Sequence, residues 1–175
     1  FDDGLADVYT IKNSPDGRFV AFTHGEELSV HWTSNGTELY NVHNHSGYTL
    51  GLDWSPDGNW IVTGGSDNDI NIYYASNGTL MDTMDYGADV NEIAFNHAGT
   101  HFVIATSDND PTWIVRTSDW TVEASFGSFT GGSGGGGGSS RRGARDVAWS
   151  LDETKIYFGA RYYGRVYTYF STDAY

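Results

Sequence analysis

The chain has 175 residues, 38% of them hydrophobic and 15% aromatic, enough for one domain with a buried core. Its net charge is −14, with 17 Asp and 6 Glu against 2 Lys and 7 Arg, which argues against sequence-independent nucleic-acid binding and against docking on anionic lipid. It has no cysteine, no apolar run of the about 18 residues a membrane helix needs, and no apolar 3.6-period segment of helical length, so the expected class is all-β.

Phe1–Asp7 reads as the tail of a fourth strand and the loop after it. Strands are then expected over Val8–Asn13, Phe19–Thr23, Leu28–Trp32 and Glu38–Val42. The next unit is the clearest, over the stretch Thr49–Ser76. Leu50, Leu52 and Trp54 alternate with smaller or polar residues, the period of a strand with one buried face. Ser55-Pro56-Asp57-Gly58 is a turn with a mechanism: Pro56 pre-sets φ, Asp57 can bond nearby backbone, and Gly58 tolerates positive φ. Trp60–Gly64 and Ile70–Tyr74 flank a second turn at Ser66–Asp69, and Asn77-Gly78 marks the hairpin before Leu80–Met84. A third unit has Val90–Phe95, His101–Thr106, Thr112–Val115 and Thr121–Phe126, with Asp110-Pro111 at its second turn.

Gly127–Gly143 is a Gly/Ser-rich flexible insertion, and its irregular flanks at Phe129 and Arg141–Arg142 favour a natural loop over an engineered linker. A fourth unit follows with Ala144–Ser150, Lys155–Phe158 and Val166–Phe170, and the chain stops at Tyr175 before another full strand.

The units repeat. Ser14-Pro15-Asp16-Gly17, Ser55-Pro56-Asp57-Gly58 and Asn96-His97-Ala98-Gly99 stand 41 residues apart, and Ser150-Leu151-Asp152-Glu153 follows after 54, the excess falling in the glycine tract. Ile11, Leu52, Ile93 and Val147 share one register, and Asn13, Trp54, Phe95 and Trp149 another. Ser34-Asn35-Gly36 returns as Ser76-Asn77-Gly78 and weakly as Ser118-Asp119-Trp120, and Ser66–Asp69 returns as Ser107–Asp110. A four-strand antiparallel unit recurring at about 40–45 residues is the signature of β-propeller blades. Four are expected, about 5–45, 46–86, 87–127 and 143–175, the last incomplete.

The repeat resembles the WD40 family. His45 falls where that family carries the histidine of its Gly-His pair, Trp54-Ser55-Pro56-Asp57-Gly58 resembles its Phe-Ser-Pro-Asp-Gly, and Ser66–Tyr73 resembles the segment ending in Trp-Asp. The resemblance implies that His45, Thr63, Asp67 and Tyr73 form the hydrogen-bonded tetrad that braces a blade. Asn44 replaces the Gly, Tyr73-Tyr74 replaces Trp-Asp, and Gly4, Tyr86 and Ser140 stand where the other units would carry the histidine. The match is that of a degenerate relative, of expected prokaryotic or archaeal origin. Propellers with Ser-Pro-Asp-Gly turns and no Trp-Asp, the TolB-like and quinoprotein-like groups, share part of this pattern.

Gly131–Gly135 fits the G-x-S-x-G nucleophile pattern but has no strand before it or helix after it, so it is rejected. His43 and His45 are too few for zinc, and no metal or cofactor is expected. Asp67, Asp69, Asp108 and Asp110 concentrate oxygen ligands on the second turns of adjacent units; no calcium-loop frame surrounds them, and solvating a turn is their commoner use. Arg141, Arg142 and Arg145 gather three of nine cations after the glycine tract and could dock an acidic surface. Trp113, Trp120, Tyr86 and Tyr162–Tyr163 lie near loop ends and could anchor a partner, although most strand aromatics serve blade packing. Asn35, Asn44 and Asn77 fit the glycosylation sequon.

No catalytic constellation emerges, so the expected function is a non-catalytic scaffold for a protein partner or for copies of itself. The alternatives are an extracellular propeller binding a ligand, sugar or calcium, and the propeller domain of a larger enzyme. The chain begins at Phe1, four blades are few for this family, and bare blade edges invite pairing, so a longer polypeptide or an oligomer is expected to close the ring. The Asp-rich, Lys-poor composition suits a salty, extracellular or cell-surface setting.

Overall fold

A computed structural model describes residues 7–107, 112–126, 144–160 and 166–170. Among these, the strands are β1 (Val8–Asn13), β2 (Phe19–His24), β3 (Glu27–Trp32), β4 (Glu38–His43), β5 (Thr49–Trp54), β6 (Trp60–Gly65), β7 (Asp69–Tyr74), β8 (Leu80–Asp85), β9 (Val90–Phe95), β10 (His101–Thr106), β11 (Thr112–Arg116), β12 (Thr121–Phe126), β13 (Ala144–Trp149), β14 (Lys155–Ala160) and β15 (Val166–Phe170). They form antiparallel sheets in chain order: β1-β2-β3-β4, β5-β6-β7-β8, β9-β10-β11-β12 and β13-β14-β15. The protein is all-β and built of propeller blades.

The turn between the first two strands of each blade explains why the sheets start where they do. Ser14, Ser55 and Ser150 each donate a hydroxyl to the Asp two residues on, at 2.6 Å in all three cases. The same hydroxyls accept the amides of Phe19, Trp60 and Lys155 at 2.9 Å. Ser150 is thereby the first residue of its turn, and β13 ends at Trp149, one residue earlier than the sequence suggested. Gly58 closes its turn at φ 74°, a conformation that costs glycine nothing. Elsewhere strands run one or two residues beyond the expected bounds, as in β2 and β14, because backbone pairing continues past the expected ends.

The blades stack through their first strands, β1 on β5, β5 on β9 and β9 on β13. Three clusters fill the seams. Ala21, Leu28 and Val30 of the first blade meet Leu52, Trp54 and Ile61 of the second. Val62, Ile70 and Ile72 meet Ile93, Phe102 and Ile104 across the next seam, and Val103, Ala105 and Ile114 meet Val147, Ile156 and Phe158 across the third. Polar contacts repeat with the blades: the Trp54 indole N–H donates to Lys12 O at 3.3 Å, and the Trp149 indole to Ala94 O at 2.9 Å. One register position breaks the pattern. Leu52 and Ile93 are 0% exposed and Val147 5%, whereas Ile11 is 64% exposed on the outer face of the first blade.

Candidate functional site

Three features bring chemically distinctive side chains together. On the second blade, His45 Nδ1 lies 3.0 and 3.1 Å from the two oxygens of Asp67, and its Nε2 lies 2.8 Å from Thr63 Oγ1. A carboxylate only accepts, so Nδ1 carries the proton and Nε2 accepts from the Thr63 hydroxyl. Burial opposes ionisation of Asp67. The Ser46 amide at 2.7 Å, the His45 ring and the Asp69 amide outweigh it and hold the carboxyl below its ordinary value. The Tyr73 phenol is pushed up by burial, against hydrogen bonds with Thr63, Asn44 and Asn71. A Cβ at Gly65 would collide with Asp67 Oδ1 and His45 Nδ1, so glycine is required at the end of β6. These contacts tie the entry to the second blade, at His45 and Ser46, to the β6–β7 turn at Asp67 and to Thr63 inside the sheet.

The other residues singled out in the sequence have separate surroundings. Burial, together with Asp67 and Asp85, pushes the Asp69 carboxyl up. Trp113 packs against Tyr86, ring centroids 5.1 Å apart, on the core between the second and third blades. Arg145 donates to Asn91 Oδ1 at 3.4 Å, on the seam where Asn91 also donates to Ala144 O. Asn35 and Asn77 sit exposed in hairpin turns, their side-chain oxygens accepting the amides of Thr37 and Thr79. Asn44 is exposed before His45. Asp108, Asp110, Arg141, Arg142, Tyr162–Tyr163 and the Gly131–Gly135 motif lie outside the described residues.

The second feature is an open groove of about 870 Å³ where the first and second blades meet. Its walls are two cross-strand aromatic pairs. Phe19 faces Trp32 across β2 and β3, with centroids 4.6 Å apart. Trp60 faces Tyr74 across β6 and β7 at 4.7 Å. Its rim carries the turn carboxylates Asp16 and Asp57, both below the ordinary value. On Asp16 the Ser14 hydroxyl does most of this. On Asp57 burial is the largest influence and acts the other way, but the Ser55 hydroxyl and the Asn59 amides outweigh it. Arg18 lies over the Phe19 and Trp32 rings, 5.2 and 5.6 Å from their centroids.

The third feature lies among the first strands. Lys12 of β1 reaches past the second blade to Glu92 of β9, Nζ to Oε1 3.2 Å. Burial pushes the Glu92 carboxyl up to about 7 despite the ammonium beside it. Burial also raises the Asp53 carboxyl, although that group accepts the Phe95 amide at 2.8 Å. For Lys12 burial acts downward, and the carboxylates of Glu92, Asp53 and Asp146 overcome it.

Neither the groove nor the ion pair was anticipated from the sequence. A signal for the groove was present: Phe19 and Trp60 stand 41 apart, Trp32 and Tyr74 stand 42 apart, and each pair sits at facing ends of neighbouring strands. The ion pair had none, since Lys12 and Glu92 belong to units two apart.

Comparison with known proteins agrees with this architecture. COMPASS component SWD3 of Saccharomyces cerevisiae is 32% identical over 98 residues, which is 55% of this chain and 31% of that protein. Eukaryotic translation initiation factor 3 subunit I of Pyricularia oryzae is 27% identical over 97 residues, 55% of this chain and 28% of that protein. The matched stretch thus spans about a third or less of those relatives, and they lend no support to a prokaryotic or archaeal source. In fold, the chain is similar over 99% of its length to 49% of a chain of Kuenenia stuttgartiensis hydrazine synthase, with a TM-score of 0.83 at 14% identity. The family described as "Anaphase-promoting complex subunit 4 WD40 domain" matches residues 11–98, half of the chain and both walls of the aromatic groove. The chain belongs to this WD40 family.

Proposed function

We propose that the chain is a non-catalytic propeller scaffold that docks a protein partner. The observation that carries this reading is the groove between the first two blades. It is open, lined by large aromatic rings that are common interface anchors, and bordered by ionised carboxylates that favour one sign of partner. The tetrad residues, by contrast, are consumed in holding the blade. Relatives named as a component of COMPASS and a subunit of initiation factor 3 support a place within a protein assembly. Affinity capture from the source lysate, followed by reconstitution with the purified partner, tests the reading. A stoichiometric complex weakened by Tyr74→Ala supports it; a chain that retains no partner, or one indifferent to every groove residue, contradicts it.

A second reading, self-association, is favoured by the outer face of the first blade. There Val8 and Ile11 stand exposed at a sheet face whose counterparts in the other blades are buried seams. Light scattering at increasing concentration tests it, and a constant monomer mass from micromolar to millimolar rules it out.

A further inference from the structure

The two aromatic walls of the groove are copies of one another, and among the described residues a cation lies on only one of them. Phe19–Trp32 and Trp60–Tyr74 occupy the same positions in successive blades, paired across the second and third strands with almost equal ring separations. In the first blade the residue before the pair is Arg18, whose guanidinium lies on both rings. In the second blade that residue is Asn59, and its side-chain amide is turned to Asp57 at 2.7 Å. No cation of the chain is found on the second pair among the described residues, and Tyr74 is 44% exposed. Trp60 is steadied from another side by the edge of Trp120, centroid to centroid 5.6 Å at 81°.

We propose that the Trp60–Tyr74 wall is a seat for an arginine side chain of a protein partner. This deepens the scaffold reading and rests on it. The chemistry is visible next door: a guanidinium, planar and weakly hydrated, already stacks on the equivalent rings. The charge fits as well. Asp57 borders this wall in its ionised form, Asp16 borders the groove opposite, and the whole chain carries −14. A cation arriving here meets two ring faces and a carboxylate, whereas an acidic segment would meet the same field with the wrong sign.

The test is a calorimetric and indole-NMR titration of the full chain with three short peptides identical except at one position: arginine, citrulline or glutamate. Arginine is expected to bind, with the Trp60 indole shifted, and citrulline to bind at least about fivefold more weakly. Two substitutions sharpen the result. Asn59→Arg supplies the missing internal cation and is expected to abolish binding while the fold is kept, since the first blade already carries that arrangement. Tyr74→Ala removes an exposed ring and is expected to weaken binding by a similar factor. Equal binding of citrulline, preference for glutamate, or no binding of any peptide overturns the proposal. A protein partner whose capture is undiminished by Asn59→Arg overturns it too, but leaves the scaffold reading standing. Arginine-peptide binding in a chain that captures no partner would instead contradict the scaffold reading, and with it the protein partner, while the arginine seat itself would stand.

Discussion

His45 is held at both ring nitrogens, and each hold depends on a single side chain. Replacing Thr63 by valine keeps the volume but leaves Nε2 without its donor inside a buried blade. We expect a loss of about 1–3 kcal/mol in urea unfolding, with the Asp67 contact intact. A change near zero would mean that the histidine is dispensable to the blade. Glu153 shows the opposite kind of residue. It stands at φ 58° where Gly17, Gly58 and Gly99 stand in the other turns, a conformation that is uncommon for a side-chain-bearing residue. Its carboxylate accepts the Ala98 amide at 2.7 Å and the Asn96 amide at 3.2 Å, tying the third blade's turn to the fourth's and offsetting the local cost. The turn itself was legible from Ser150 and Asp152; the compensating contact was not, because it needs the two turns to lie side by side in space.

At the scale of strands and sheets, the register shared by Ile11, Leu52, Ile93 and Val147 marks the seam between blades. Leu52→Ala is expected to cost about 2–5 kcal/mol, since it empties a filled seam. Ile11→Ala, at the same register position on the uncovered face, is expected to change stability by no more than about 0.5 kcal/mol. Urea midpoints of the two variants at low protein concentration check this, and equal losses would show that the first blade's face is covered in solution. Strands and turns were readable because their determinants are local: alternation of period two, and a Ser-x-Asp turn that bonds its own backbone. The groove was not legible because Phe19 and Trp32, like Trp60 and Tyr74, are ordinary strand aromatics in the sequence, and only pairing sets each couple on one wall. The same holds for Trp113. Its place near a turn was readable, but its packing against Tyr86 was not, because that contact joins two blades.

At the scale of the molecule, the blades converge on their first strands, and the charges gathered there link stability to pH. The Glu92 carboxyl is raised by burial from an ordinary value of 4.5 to about 7. Between those values the folded chain binds more protons than the unfolded one, so stability falls as pH rises through the window. The Asp53 carboxyl, also raised by burial, contributes with the same sign. Glu92→Gln is expected to flatten this part of the profile, read as melting temperature against pH. An unchanged slope would show that Glu92 is not the group responsible. The same convergence is the propeller arrangement, with a groove where the first and second blades meet.

The most direct test of that radial arrangement is zero-length carbodiimide cross-linking of the dilute chain, read by peptide mass spectrometry. Lys12 and Glu92 lie in units two apart, yet their charged ends are 3.2 Å from each other. The account expects an amide bond between them, lost in Glu92→Gln. Cross-links from Lys12 confined to its own unit, with none to Glu92, would contradict it.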